Sequence, residues 1–208
     1  MRKLWGRTSS SNVMKVLWTL DELGLPYDRI DAGGVFGRTR EPEYRAMNPM
    51  GLVPTLQEDD GWALWESNTI ARYLCNAHAP GSALYPAAPR ARAEVETWMD
   101  WTLGHVVAPM VVIFFTHVRL KENERDWAAE KKAREDCGRL WKIVDARVAE
   151  RRFLCADHVT LADITLGCWV HRWFMLPIER PDLPNLAAYY EALKTRPGFV
   201  THVALPLE

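Results

Sequence analysis

The chain has 208 residues, with 26 Lys and Arg against 27 Asp and Glu, for a formal net charge of −1. Apolar residues make up 48% and charged residues 25%, a balance that supports a sizeable core and excludes intrinsic disorder. Without a cationic surplus there is no electrostatic footprint for nucleic acid or an anionic membrane, and neither is expected as a partner.

Residues 3–7 form a short strand-like run with Leu4 and Trp5, ending in the turn and cap residues Gly6 to Asn12. Val13, Val16, Leu17, Leu20 and Leu23 then follow helical spacing, and Gly24 stands where a glycine stops a helix. Pro26 to Ile30 reads as a second strand, and residues 32–47 as a polar stretch with little periodicity. Leu52 to Leu56 is a strand interrupted by Pro54, followed by a turn at Asp59-Asp60-Gly61 and a short strand at Trp62-Ala63-Leu64. A helix is expected from about Glu66 to His78, which completes a β-α-β, β-β-α order. The prolines and small residues of 81–89 make the best linker. Beyond it only helices are expected, over about 90–118 and 125–149, from Thr160, and near Asn185 and Pro197. Thr160-Leu161-Ala162-Asp163 has the form of a capping box, with Val159 and Ile164 at its hydrophobic staple positions. The expected division is an α+β unit over 1–80, a linker at 81–89 and an all-helical unit over 90–208.

The longest apolar run, Val106 to Phe115, is 10 residues long and contains Pro109, short of the roughly 18 that a membrane span needs. Met1 to Trp5 lacks the pattern of a secretory leader. Cys75, Cys137, Cys155 and Cys168 form neither a CxxC pair nor a metal-ligand spacing, so reduced thiols, no metal and a cytoplasmic location are expected.

Three features of the first unit point to one small-molecule site. The Ser9-Ser10-Ser11-Asn12 run lies between a strand and a helix, where exposed N–H groups, the helix dipole and a hydroxyl donor all favour an anion. Helix capping alone also accounts for the run. Serine as a nucleophile is disfavoured, because no general base is spaced to activate it. Pro54 inside a strand marks an edge or bulge, and a cis bond after Val53 would free the Val53 backbone for an extended peptide. Glu66 and Ser67 open a helix, so Ser67 with the helix N-terminus suits a carboxylate and Glu66 an ammonium group. Together they suit an amino-acid head group, although a capped helix with an acidic first turn has the same sequence.

In combination these features resemble the glutathione transferase superfamily. Asn48-Pro49-Met50-Gly51-Leu52-Val53-Pro54-Thr55-Leu56, Trp65-Glu66-Ser67-Asn68-Thr69-Ile70 and Thr160-Leu161-Ala162-Asp163-Ile164 match three of its elements, and Ser10 to Asn12 a fourth. The four occur in order over essentially the whole chain and most resemble the bacterial theta-like and nu-like branches, which use Ser/Thr and Asn. The resemblance implies a thioredoxin-like domain followed by an all-α domain. It implies a cis Pro54, with Val53 pairing to the cysteinyl backbone of glutathione, and Glu66 and Ser67 holding its γ-glutamyl end. Ser10 falls on the catalytic position and Asn12 on that of a second donor, with Ser9 and Ser11 as neighbouring alternatives. A thiol of pKa about 8.5 is only a few per cent ionised near neutrality, and lowering it by two units takes about 2.7 kcal/mol of differential stabilisation. Ser10 would supply part of that as a donor to the substrate thiolate.

No cysteine occupies positions 8–12, which argues against a mixed-disulfide mechanism through the protein's own thiol. Leu52 departs from the basic residue that many theta-like members place before the Val-Pro pair, opposite the glycyl carboxylate. Arg38, Arg40 and Arg45 are the alternatives for that role. Six of the ten tryptophans follow residue 90, suggesting an apolar cavity wall in the helical unit, with Trp101, His105 and Phe114 as pocket candidates. The expected protein is a homodimeric, cytoplasmic glutathione transferase that joins glutathione to a small apolar electrophile in detoxification. Glutathione-dependent peroxide or disulfide reduction, and a non-catalytic carrier or interaction module on the same fold, are the alternatives.

Overall fold

The computed structural model describes all 208 residues. The first unit contains β1 (Lys3–Trp5), α1 (Ser11–Glu22), β2 (Asp28–Ile30), α2 (Pro42–Met47), β3 (Thr55–Gln57), β4 (Ala63–Trp65) and α3 (Ser67–His78). The four strands form one sheet in the order β2-β1-β3-β4. β1 and β2 are parallel, joined by the crossover through α1, while β3 runs antiparallel to both β1 and β4. The register sets Leu4 opposite Leu56, and both are fully buried with Val13, Val16, Leu17 and Leu20 of α1 and Ile70 and Leu74 of α3.

The stop of α1 follows from Gly24. At φ +62° it occupies the left-handed region, and the bonds Leu25 N–H to Leu20 O and Gly24 N–H to Asp21 O satisfy two terminal carbonyls. The stretch read as irregular holds a 3₁₀ turn, Gly34–Phe36, and the six-residue α2, in which only Tyr44 is buried. So short a helix with one buried side chain leaves no periodic trace in sequence. The third strand begins after Pro54, which has no N–H for the ladder.

The second unit is helical. α4 (Pro89–Trp101) and α5 (Val107–Phe114) are joined by a π-helical turn, Thr102–Val106, and a second such turn, Phe115–Arg119, prolongs α5. Pro109 lies just past the first π turn, where a wider turn relieves the clash of its ring with the carbonyl four residues before it. The continuous rod Pro89–Arg119 is apolar and long enough by composition to cross a membrane. One side of it, with Val95, Met99, Val106, Met110 and Ile113, is buried in the core of the helical unit. α6 (Trp127–Arg147), α7 (Leu161–Met175), α8 (Pro184–Leu193) and α9 (Pro197–His202) complete it. The expected capping box opens α7. The buried Asp163 carboxylate accepts from the backbone N–H groups of Thr160 at 2.8 Å and Leu154 at 2.9 Å, and from the hydroxyls of Thr160 and Tyr189 at 2.9 Å.

The two units share α1. It is packed by α3 on one side and by α7 and α9 on the other, so nine of its twelve residues are buried. Trp18 crosses the junction, edge-on to Phe199 at 5.1 Å, with its Nε1 donating to Glu22, whose carboxylate also receives Arg196. A Cβ on Gly198 would lie 2.6 Å from Trp18 Cδ1, so only glycine allows this approach.

Candidate functional site

A small, shallow cleft of about 50 Å³ opens in the first unit, lined by Asn12, Asn48, Met50, Leu52, Val53, Pro54, Trp65, Glu66 and Ser67. Its floor is the loop before β3, where the Val53–Pro54 bond is cis. Two buried residues hold that loop. Asn48 donates through Nδ2 to the Leu52 carbonyl at 2.9 Å and to Thr55 Oγ1 at 3.1 Å, and its Oδ1 accepts from Met50 N–H. The Tyr44 hydroxyl donates to the same Leu52 carbonyl at 2.6 Å. Sequence reading noted Asn48 within a motif and missed Tyr44, because a lone aromatic in a short helix gives no signal.

The opposite wall is the start of α3. Glu66, immediately before it, is held at φ +74°, a region sparsely populated by non-glycine residues at a cost of order 1–3 kcal/mol. Its side chain is exposed, while Ser67 is buried and its hydroxyl donates to Asn12 Oδ1 at 3.3 Å. Asn12, in the first turn of α1, also accepts at Oδ1 from Lys15 Nζ at 3.1 Å. The structure therefore brings together Asn12, Val53, Pro54, Glu66 and Ser67, five residues that come from three separated segments of the chain.

Ser10 is the residue before α1, half-buried, and its hydroxyl makes no capping bond; it lies two residues before Asn12 and is not among the residues that line the cleft. Ser11 is buried as the first helical residue. The Ser9 carbonyl accepts from Arg172 of α7 at 3.1 Å, which ties the helical unit to the loop before α1. Arg172 lies 4.0 Å over the Phe114 ring, and Arg119 approaches the same ring at 5.8 Å. Burial lowers the Arg172 pKa to about 10, with Arg119 and Arg7 adding like-charge repulsion. None of the three arginines has a carboxylate partner.

Phe114 thus stands, through Arg172, beside the loop that opens α1. Trp101 packs edge-on against Trp98 at 5.2 Å at the border of the helical core. His105 lies apart from the cleft. It is exposed and lines an outer groove with Ala108, Pro109 and Val112 of α5 and Ala129, Lys132, Ala133 and Asp136 of α6, not the cleft with Asn12. It remains beside Trp101, ring to ring at 6.3 Å, and faces α6 across the groove.

The four cysteines are free, and burial pushes the thiols of Cys75, Cys137 and Cys155 up to about 12 and that of Cys168 to about 11. None is poised as a thiolate nucleophile. No group of three or more His, Cys, Asp or Glu side chains is arranged to hold a metal ion.

Chemically, the free Val53 backbone can pair with an extended chain, the Glu66 carboxylate can take an ammonium group and the α3 N-terminus a carboxylate. Residues 9–77 match the family model described as glutathione S-transferase, N-terminal domain, and residues 91–192 the corresponding C-terminal domain. The chain belongs to the glutathione S-transferase family. This glutathione transferase is 38% identical to glutathione S-transferase GstB of Escherichia coli (strain K12) over 208 residues, all of both chains. The theta class glutathione S-transferase from Xanthomonas axonopodis pv. citri, solved with glutathione bound, superposes with a TM-score of 0.94 at 43% identity, covering 100% of this chain and 99% of the other. Elongation factor 1-gamma of Equus caballus is 32% identical over 168 residues, which span 79% of this transferase and 37% of that protein. The thioredoxin-like first unit and the all-α second unit are those of the glutathione transferase architecture.

Proposed function

We propose that the cleft binds glutathione and lowers the pKa of its thiol for transfer to a small apolar electrophile. The observation that carries this is the convergence of Asn12, Val53, Pro54, Glu66 and Ser67 on one cleft. The backbone of Val53 pairs with the cysteinyl residue of glutathione. The Glu66 carboxylate takes the γ-glutamyl ammonium, and Ser67 with the N–H groups of α3 takes its carboxylate. The thiol lies toward the start of α1, where the Ser10 hydroxyl and the Asn12 amide donate to the thiolate. These donors act on the substrate anion, so neither residue is nucleophile or base. The exposed Leu52 offers nothing to the glycyl carboxylate. Arg45 supplies that charge, from a guanidinium braced on the Pro49 carbonyl at 3.1 Å within the loop that carries Met50 and Leu52.

The electrophile binds between the start of α1 and the helical unit, against Phe114 and in reach of Trp101. His105 has no part in it. The rod Pro89–Arg119 acts as a core helix, since its buried side is continuous with α6 and α7, and we read the protein as cytoplasmic, without a membrane, nucleic-acid or metal partner. The functional unit is a homodimer and its role is detoxification.

Isothermal titration with glutathione across pH tests this reading. Saturable binding that releases a proton near neutral pH is expected. No binding at millimolar glutathione would refute it and favour the non-catalytic carrier or interaction module.

A further inference from the structure

Lys15 is a buried cation that neither the packing of α1 nor the ligand contacts proposed above require. It is 2% exposed and has no carboxylate partner, and its Nζ donates to two amide oxygens, Asn12 Oδ1 at 3.1 Å and Asn68 Oδ1 at 3.4 Å. Removing an ammonium from water against neutral oxygens alone is unfavourable. The charged and titratable groups around it are Glu66 before α3 and Cys168 and Arg172 on α7, and burial brings its pKa down to about 8. At neutral pH it is still an ammonium, a group with three donors and no acceptor.

That donor-only character decides how Asn12 sits. The two ends of an amide side chain are nearly equal in shape, so its orientation is set by its partners. The Ser67 hydroxyl, 3.3 Å from the same Oδ1, can donate or accept and tolerates either orientation. Lys15 tolerates only the oxygen. With Oδ1 turned to Lys15 and Ser67, the Asn12 Nδ2 group is left as the end available to a ligand. Asn68 obeys the same constraint, its oxygen on Lys15 and its buried Nδ2 without a partner in the chain.

We propose that Lys15 is a positioning residue that locks the Asn12 amide with its N–H bonds toward the thiol end of the cleft, so that the glutathione thiolate meets a donor and not a carbonyl oxygen. This rests on the glutathione reading above. Without Lys15 the Asn12–Ser67 contact survives a flip of the amide, and the flipped oxygen repels the thiolate.

The test is the thiol pKa of bound glutathione, followed by the ultraviolet absorbance of the thiolate in wild type, Lys15→Met, Lys15→Arg, Asn12→Ala and the Lys15→Met/Asn12→Ala double variant. Lys15→Met is expected to raise the thiol pKa by about one unit and to lower kcat/KM about tenfold below that pKa, the loss fading at higher pH. KM for glutathione stays within about twofold, and Lys15→Arg, also donor-only, keeps a pKa near that of wild type. In the Asn12→Ala background Lys15→Met has no further effect, which separates orientation of the amide from a through-space effect of the charge. An unchanged thiol pKa in Lys15→Met, or an equal shift with and without Asn12, overturns the proposal. Should Lys15→Met not fold, Lys15→Gln decides: its amide lifts the donor-only constraint, and an unchanged thiol pKa there refutes the role. A wild type that shows no thiolate signal at saturating glutathione overturns the glutathione reading itself.

Discussion

Replacing Lys15 by Met should change how stability depends on pH, by an amount that its burial sets. The Lys15 pKa falls from 10.5 to about 8 on folding, chiefly through desolvation. Between these values the unfolded chain holds a proton that the folded chain has released, so stability rises with pH across the window. The contribution is complete above the unfolded pKa and is lost as pH falls through 8. A shift of this size, at about 1.4 kcal/mol per unit, amounts to about 3 kcal/mol in total, most of it between pH 7 and 10. Other groups titrate in the same range, so the quantity to follow is the stability of wild type minus that of Lys15→Met, from urea unfolding midpoints at matched pH. Any pH-independent effect of the methionine shifts this difference bodily and leaves its slope alone. The difference is expected to climb by about 2–3 kcal/mol from pH 7 to 10. A flat difference would refute the argument that Lys15 is held as a desolvated cation. Steep growth in the relative stability of wild type at alkaline pH would also show that this lysine weakens the fold near neutrality, as expected of a group kept for its chemistry.

Asp163→Ala leaves the N–H groups of Leu154 and Thr160 without acceptors, and at roughly 1–3 kcal/mol for each it should lower stability by about 4 kcal/mol in thermal or urea unfolding. Ser10→Ala removes one donor to the thiolate and should lower kcat/KM about tenfold to a hundredfold, with a smaller effect on glutathione affinity; equal turnover in both proteins would refute the assignment. Glu66→Gln should raise KM for glutathione about tenfold while kcat stays near wild type, because it touches the head group and not the reacting sulfur. Gly198→Ala drives a methyl to 2.6 Å from Trp18 and should destabilise by about 1–3 kcal/mol, which a wild-type melting temperature would contradict.

The parts of the molecule legible from sequence are those governed by local chemistry. Gly24 ends α1 because a left-handed residue is needed there, and Thr160 with Asp163 opens α7 through bonds within one turn. Asn12, Pro54, Glu66 and Ser67 each stand at an element boundary that cap and proline signals mark, but those signals fit plain helix caps equally well, and it is the family resemblance that implies one site. Lys15 was not singled out. In an amphipathic pattern a lysine marks the solvent face, but α1 has no such face once α7 and α9 cover it, and that covering comes from the far half of the chain. His105 keeps the helical neighbour that spacing gives it, the Trp101 ring at 6.3 Å, but the groove it faces is set by the packing of α5 on α6, which spacing does not carry. Arg172 was missed because its role, reaching the Ser9 carbonyl from the far end of α7, exists only after the two units dock.

The position of Trp18 bears on how such a protein can be divided and inherited. By topology the chain splits at 81–89, yet the indole belongs to the first unit and its socket, with Gly167, Gly198 and Phe199, to the second. Cut at the linker, one fragment would expose a tryptophan and the other an empty apolar slot. The two halves are thus separable on paper and inseparable in water, and recombination between relatives has to carry α1, α7 and α9 together as one hereditary unit. The more freely exchangeable part is the outer stretch of the Pro89–Arg119 rod and α6, where a new groove can be tried without disturbing the residues that hold the start of α1.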